Sequence, residues 1–289
     1  MTILPVLALL LAASLWGIFW IPLRWLESLG LSGLLATFLI YIGTLVISLP
    51  ILLVKRAEWR QQPALILAIM LSSGWCNTAF ILAIIDGEIM RVILLFYLSP
   101  LWSTLLARIL LKEQLSARAY ATLVLAALGA LLILWEPRMG MPWPGSSADW
   151  LAISSGFAFA FTNLFTHMAG QTSIKTKTVA AWLGVILISG SALLLGDHQI
   201  VLSNTTGVMM ALLIGLLMMS VMTFAVVYGV THLPVHRSAI ILLFQVVVAA
   251  ISSYLLTEER MAWYEWLGGI IVIVAAYLAI TQQSHRPQT

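Results

Sequence analysis

Residues 77–134, NTAFILAIIDGEIMRVILLFYLSPLWSTLLARILLKEQLSARAYATLVLAALGALLIL, can be read a second time at residues 223–280, TFAVVYGVTHLPVHRSAIILLFQVVVAAISSYLLTEERMAWYEWLGGIIVIVAAYLAI. At a spacing of 146 positions (237 − 91), Arg91 falls on Arg237, Leu110 on Leu256, Glu113 on Glu259 and Leu115 on Met261. Each copy runs from an apolar helix through a short polar break and an arginine into a second apolar helix, then past a glutamate into a third. The shared layout, more than the few identities, argues for an internal duplication.

The apolar character extends over the whole chain of 289 residues. Hydrophobic residues make up 62% and charged residues only 9%, with a mean hydropathy of +1.04. A water-soluble domain carries roughly 25% charged residues, because water must wet its surface, so this chain is expected to be an all-α integral membrane protein. Its net charge of +3 comes from basic residues scattered between apolar runs. Such scatter reports membrane topology, and no nucleic-acid partner is expected. Cys76 is the only cysteine, which rules out an internal disulfide and a cysteine-based metal site; it reads as a small packing residue.

A bilayer core about 30 Å thick needs roughly 20 apolar residues per helix. That ruler predicts ten transmembrane helices near 4–26, 32–54, 63–85, 89–111, 117–136, 149–169, 178–196, 206–231, 237–257 and 262–281. The first lacks the leading Lys or Arg of a secretory signal and reads as a retained helix. With the N-terminus inside, the inner loops and tail hold Lys55, Arg56, Arg60, Arg108, Lys112, Arg118, Lys175, Lys177, Arg237 and Arg286, and the outer ones Arg24, Arg91, Arg138 and Arg260. The excess of inner cations predicts cytoplasmic termini in the inner or plasma membrane of the cell. Five helices per half then make the repeats inverted. The predicted organisation is a first repeat at 1–136, a connecting loop at 137–148 rich in Pro and Gly, a second repeat at 149–281 and a short tail at 282–289.

Ionisable residues inside hydrocarbon mark function by default, and this chain offers none at mid-membrane. All its carboxylates and histidines fall in loops or near helix ends, with no metal-ligand spacing, so no metal and no cofactor is expected. Glu88 and His167 are the candidates for proton coupling. Catalytic signatures such as Gly-x-Ser-x-Gly or HExxH are absent. The mid-membrane sequence instead carries aromatic and uncharged polar residues: Trp16, Trp20, Asn77, Phe80, Tyr97, Asn163, Phe224, Tyr228 and Gln245. An amide in hydrocarbon must find a partner, either a neighbouring helix or a bound molecule. Their occurrence in matching helices of both halves points to a shared central cavity. Pro22 and Pro100 interrupt the first and fourth helices and free backbone carbonyls, which adds Pro100 to the candidate substrate-binding set.

The run Leu98-Ser99-Pro100-Leu101, the turn Leu111-Lys112-Glu113-Gln114-Leu115 and the helix to Gly129 resemble the fourth and fifth helices of EamA-type members of the drug/metabolite transporter superfamily. Trp16-Gly17 resembles the Trp-Gly of their first helix, and Leu256-Thr257-Glu258-Glu259-Arg260-Met261 the second copy of the glutamate turn. Gln245 departs from the pattern, standing near where a proline is expected. The resemblance implies two inverted five-helix repeats around a central cavity lined by helices 1, 3, 4, 6, 8 and 9. It also implies alternating access and transport of a small organic metabolite. Export of amino acids or related amphipathic compounds is the expected activity, by a monomer or homodimer whose partners are the small-molecule substrate and the lipid bilayer. The competing expectations are proton-coupled drug efflux and a membrane enzyme acting on a lipid-linked substrate.

Overall fold

The computed structural model describes residues 3–113, 116–135, 143–196, 204–256 and 262–281. The second glutamate turn at 257–261, Gln114 and Leu115 of the first turn, residues 136–142 of the connecting loop and the tail at 282–289 lie outside the described residues.

Within them every regular element is helical. In chain order these are α1 (Leu4–Gly17), α2 (Trp20–Ser28), α3 (Gly33–Gly43), α4 (Leu45–Val54), α5 (Arg56–Gln61), α6 (Pro63–Asp86), α7 (Ile89–Phe96), α8 (Ser99–Leu110), α9 (Ala117–Leu134), α10 (Ser147–Met168), α11 (Ile174–Leu195), α12 (Thr205–Ile214), α13 (Ser220–His232), α14 (Val235–Leu242), α15 (Phe244–Leu256) and α16 (Trp263–Thr281). A five-residue π-helical stretch, Gly215–Met219, joins α12 to α13 without a stop. Eight stretches are long and apolar enough to cross a bilayer, and a ninth forms if α3 and α4, bent by 45° at Thr44, count as one span. α10 is not among them despite its 22 residues. Ser147, Asp149, Ser154, Ser155, Thr162, Asn163, Thr166 and His167 lower its hydropathy below that of its neighbours.

Four helices, α10, α11, α12 and α14, begin earlier than predicted, and two of these corrections concern buried cations. α11 starts at Ile174, not near 178, because the Ser173 hydroxyl accepts from the Thr176 N–H at 3.3 Å and supplies an N-cap. α14 starts at Val235, not 237. Lys177 and Arg237, expected in inner loops, are therefore inside helices, 0% and 2% exposed.

Lipid replaces water around this bundle. Leu194 and Leu195 are 80% and 89% exposed, a cost in water but neutral in hydrocarbon. Helix association then depends on close van der Waals approach. α6 lies along both α10 and α11, α9 along α16, and α1 along α13 and α15. Small residues make these contacts. A Cβ on Gly184 would stand 1.9 Å from the Met70 carbonyl oxygen, one on Gly74 2.3 Å from that of Gly184, and one on Gly215 1.8 Å from that of Ile40. Only hydrogen fits at these three positions.

Candidate substrate site

Three of the rods are broken part-way, and the breaks gather the candidate residues. Between α1 and α2 the chain tightens, with Ile21 N–H donating to Ile18 O at 3.1 Å, because Pro22 has no N–H for that carbonyl. Between α7 and α8, Leu101 N–H donates to Leu98 O at 3.0 Å, and Pro100 occupies the first turn of α8. The break between α14 and α15 has no proline. There Leu243 N–H donates to Ile240 O at 3.2 Å and Val246 N–H to Leu243 O at 3.0 Å, the same three-residue tightening. Gln245 thus stands at a break that backbone geometry makes without the expected ring.

Tyr97, beside its break, has its side chain next to that of Gln245. It is enclosed by helices yet keeps part of its surface accessible, as a ring facing an internal space does. Phe96 stacks edge-on against Phe80 and Tyr97 with centroids 4.9 and 5.6 Å apart, and lies 5.7 Å from Phe159. Pro100 is buried beside this chain of rings. The first break reaches the same place. A Cβ on Gly17 would come within 2.7 Å of the Gln245 carbonyl oxygen, so α1 is held against α15 there, while the Trp16 ring stands edge-on to Phe19 at 5.3 Å in the cluster around Trp182. Trp20 Nε1 donates to Ser252 Oγ at 3.0 Å, and Arg24 lies over the Trp20 ring.

The other candidates are arranged differently. Asn77 is committed to protein partners, accepting from Tyr41 OH at 3.0 Å and donating to Ser73 O at 2.9 Å. Phe224 packs edge-on against the buried Trp182 at 5.4 Å. Tyr228 stacks on His232 one turn later. Asn163, 3% exposed, has no partner for its Nδ2. Glu88 is exposed at the N-terminus of α7 and makes no side-chain cap, well apart from the aromatic centre. His167 Nδ1 lies 3.0 Å from Val230 O, tying the end of α10 to the end of α13.

Sequence reasoning missed several polar ties between helices. Arg91 Nε reaches Asp149 Oδ1 at 2.9 Å and its guanidinium also meets the Trp143 carbonyl. Glu113 Oε2 lies 2.7 Å from His236 Nδ1, and Glu113 Oε1 accepts from Val235 N–H at 3.4 Å. The glutamate of the first turn therefore caps α14 in the other half. Lys112, with φ of 54°, turns the chain so that Glu113 can reach it. Arg237 donates to the terminal carbonyls of α16, Ala279 at 2.7 Å and Ile280 at 2.6 Å. Glu58 accepts from Lys55, Ser173 N–H and Thr176 Oγ1. Partial burial pushes its carboxyl up, but these donors outweigh that and bring it down to about 2. Among the described residues no three His, Cys, Asp or Glu side chains group as a metal site would need.

A helical, multi-pass membrane protein whose broken helices meet at an uncharged aromatic and amide centre has the build of a small-molecule transporter. The EamA-like transporter family matches residues 3–135 and 146–281, and the chain belongs to that family. It is accordingly a transporter and not an enzyme. "Uncharacterized transporter PA0485" of Pseudomonas aeruginosa is 25% identical over 183 residues, covering 60% of this chain and 58% of that relative, a little over half its length. A solved crystal structure superposes with a TM-score of 0.75 over 99% of this chain and 98% of its own at 14% identity, a likeness of fold.

Proposed function

We propose that the protein is a secondary carrier that exports amino acids or related amphipathic metabolites across the inner membrane by alternating access. The observation that carries this reading is the meeting of two helix breaks at Tyr97 and Gln245, whose side chains lie together beside Phe80 and Phe96. Aromatic faces suit an apolar body, and a few uncharged polar groups orient it. Tightened breaks supply the places where helices can bend between two exposures of the site.

In this proposal α3 with α4, and α10, also span the membrane, giving ten spans in two inverted five-helix repeats with both termini cytoplasmic. The packing supports it. α1 against α13 corresponds, under exchange of the halves, to α10 against α6, and α9 with α16 corresponds to itself. Cys76 is the sole cysteine and is buried. A cysteine-free background with single cysteines at Ser116 and Thr257 therefore tests the inversion, opposite sides being expected. The carrier reading is tested by efflux from proteoliposomes loaded with an amino-acid and metabolite panel. Saturable efflux of an amphipathic amino acid is expected, and absence of flux across the panel would remove the proposal.

A further inference from the structure

Three helices converge on a cation that lacks a counter-charge. Lys177, in the first turn of α11, is 0% exposed and donates to Thr166 O at 3.0 Å, near the end of α10, and to Thr231 Oγ1 at 2.7 Å, near the end of α13. The carbonyls in the last turn of a helix have no intrahelical partner and carry its negative dipole end. One such carbonyl and the Thr231 hydroxyl hold the ammonium without neutralising it. Among the described residues no carboxylate pairs with Lys177. The acid at that end of α11, Glu58, is committed to Lys55 at 2.8 Å, Ser173 N–H at 3.1 Å and Thr176 Oγ1 at 2.7 Å. An ammonium has three donors, and two acceptors leave one free.

A second, independent observation lies one turn back along α10. Asn163 is 3% exposed and its Nδ2 has no partner. Four residues separate it from His167, so the two share a helix face, and His167 is bonded to Val230 O on α13. The orphan amide is thus directed to the side where α10 meets α13, the junction that holds Lys177. Further along α11, Trp182 is fully buried with its Nε1 also unpartnered, its ring against Phe224 of α13. The other titratable groups at this end are occupied or turned outward: His232 Nδ1 faces its own Tyr228 O, and Lys175 is exposed. A buried donor without an acceptor is rare in a folded protein, and a buried cation without a counter-ion is costlier still.

We infer that the junction of α10, α11 and α13 is a carboxylate subsite, in which a substrate carboxylate meets Lys177 Nζ and Asn163 Nδ2 while its apolar body lies towards Trp182 and Phe224. A carboxylate has one negative charge to balance the ammonium and a second oxygen for the amide. A neutral carbonyl would accept from either donor but leave the ammonium's charge unbalanced, and a protonated amine would satisfy neither. The subsite rests on the carrier reading above and gives its substrate class: small organic acids, amino acids among them, with an apolar tail.

The test uses the purified full chain in nanodiscs of phosphatidylcholine only, with 4-methylpentanoate, L-leucine, 4-methylpentanamide and 4-methylpentylamine as matched probes. The two carboxylates should raise the unfolding temperature, with apparent affinity at least tenfold above the amide and amine. Asn163→Leu should keep or raise the ligand-free unfolding temperature, since it removes an unpaired donor, yet lose tenfold or more in carboxylate affinity. Lys177→Met should abolish the carboxylate effect; if it does not fold, Asn163→Leu decides alone. Equal stabilisation by acid and amide, no stabilisation by any probe, or stabilisation by added phosphatidylglycerol in place of the acids would each overturn the subsite. The carrier reading is separated by flux. Efflux of the amide or amine from proteoliposomes without preference for the acids keeps the carrier and removes the subsite. Acid-specific stabilisation with no efflux of any solute keeps the subsite and removes the carrier.

Discussion

The side chains of Tyr97 and Gln245 lie together although 148 positions (245 − 97) separate them in the chain, and each stands at the break of its own rod. Their approach brings residues 77–134 against residues 223–280 where both stretches are least regular. Gln245→Ala removes a polar side chain from an enclosed site, where losing a substrate's hydrogen-bond partner costs about 1–3 kcal/mol, or about tenfold in rate per 1.4 kcal/mol. Initial efflux per folded protein should fall by that order, with Tyr97→Phe falling less because the ring remains.

Asn77→Ala should act through stability. Both its amide atoms already have protein partners in Tyr41 and Ser73, so its loss unties α3 from α6. A thermal double-mutant cycle with Tyr41→Phe should give a coupling of about 1 kcal/mol. A coupling near zero with a large loss of flux would assign Asn77 to the substrate instead.

Two glycines make a matched pair for the packing argument. A methyl group on Gly184 would meet the Met70 carbonyl at 1.9 Å, whereas on Gly269 its nearest neighbour is Val247 at 3.9 Å. Gly184→Ala should strip most of the folded protein from the membrane by forcing α6 and α11 apart, and Gly269→Ala should express as the parent does. Size-exclusion profiles of detergent extracts separate these outcomes.

Glu58 gives a pH dependence. Its donors hold the folded carboxyl at about 2, below its ordinary 4.5. Its contribution is therefore complete above pH 4.5 and lost as pH falls towards 2. With solvent screening its worth is about 1 kcal/mol. Glu58→Gln should be less stable at pH 7 and show a weaker acid loss between pH 4.5 and 2, as thermal unfolding across that range would reveal.

Long apolar runs made the rods legible, because hydrocarbon thickness sets their length whatever their neighbours. The breaks at Pro22 and Pro100 were legible for the same kind of local reason, a missing N–H. The break at Leu243 was not, since backbone tightening there has no residue signature. Lys177 and Arg237 were misread as loop cations because the charge rule assumes that hydrocarbon expels them. Both are accommodated by carbonyl oxygens at distant helix ends, Thr166 for one and Ala279 and Ile280 for the other, contacts that only the tertiary fold creates. The candidate residues could be named from depth and chemistry alone. Which were already satisfied, as Asn77 is, and which were left waiting, as Asn163 is, depended on partners such as Tyr41 that no spacing announces.

Because Glu88 is exposed and the aromatic centre is uncharged, we propose that transport is driven by the substrate's own gradient. The most direct measurement is initial L-leucine flux in the same proteoliposomes with and without an imposed pH gradient, for the parent, Glu88→Gln, Trp16→Ala and Gln245→Ala. The expected result is saturable flux that needs no pH gradient, survives Glu88→Gln and falls about tenfold in Trp16→Ala and Gln245→Ala. Accumulation above equilibrium that requires the pH gradient and vanishes in Glu88→Gln would contradict it.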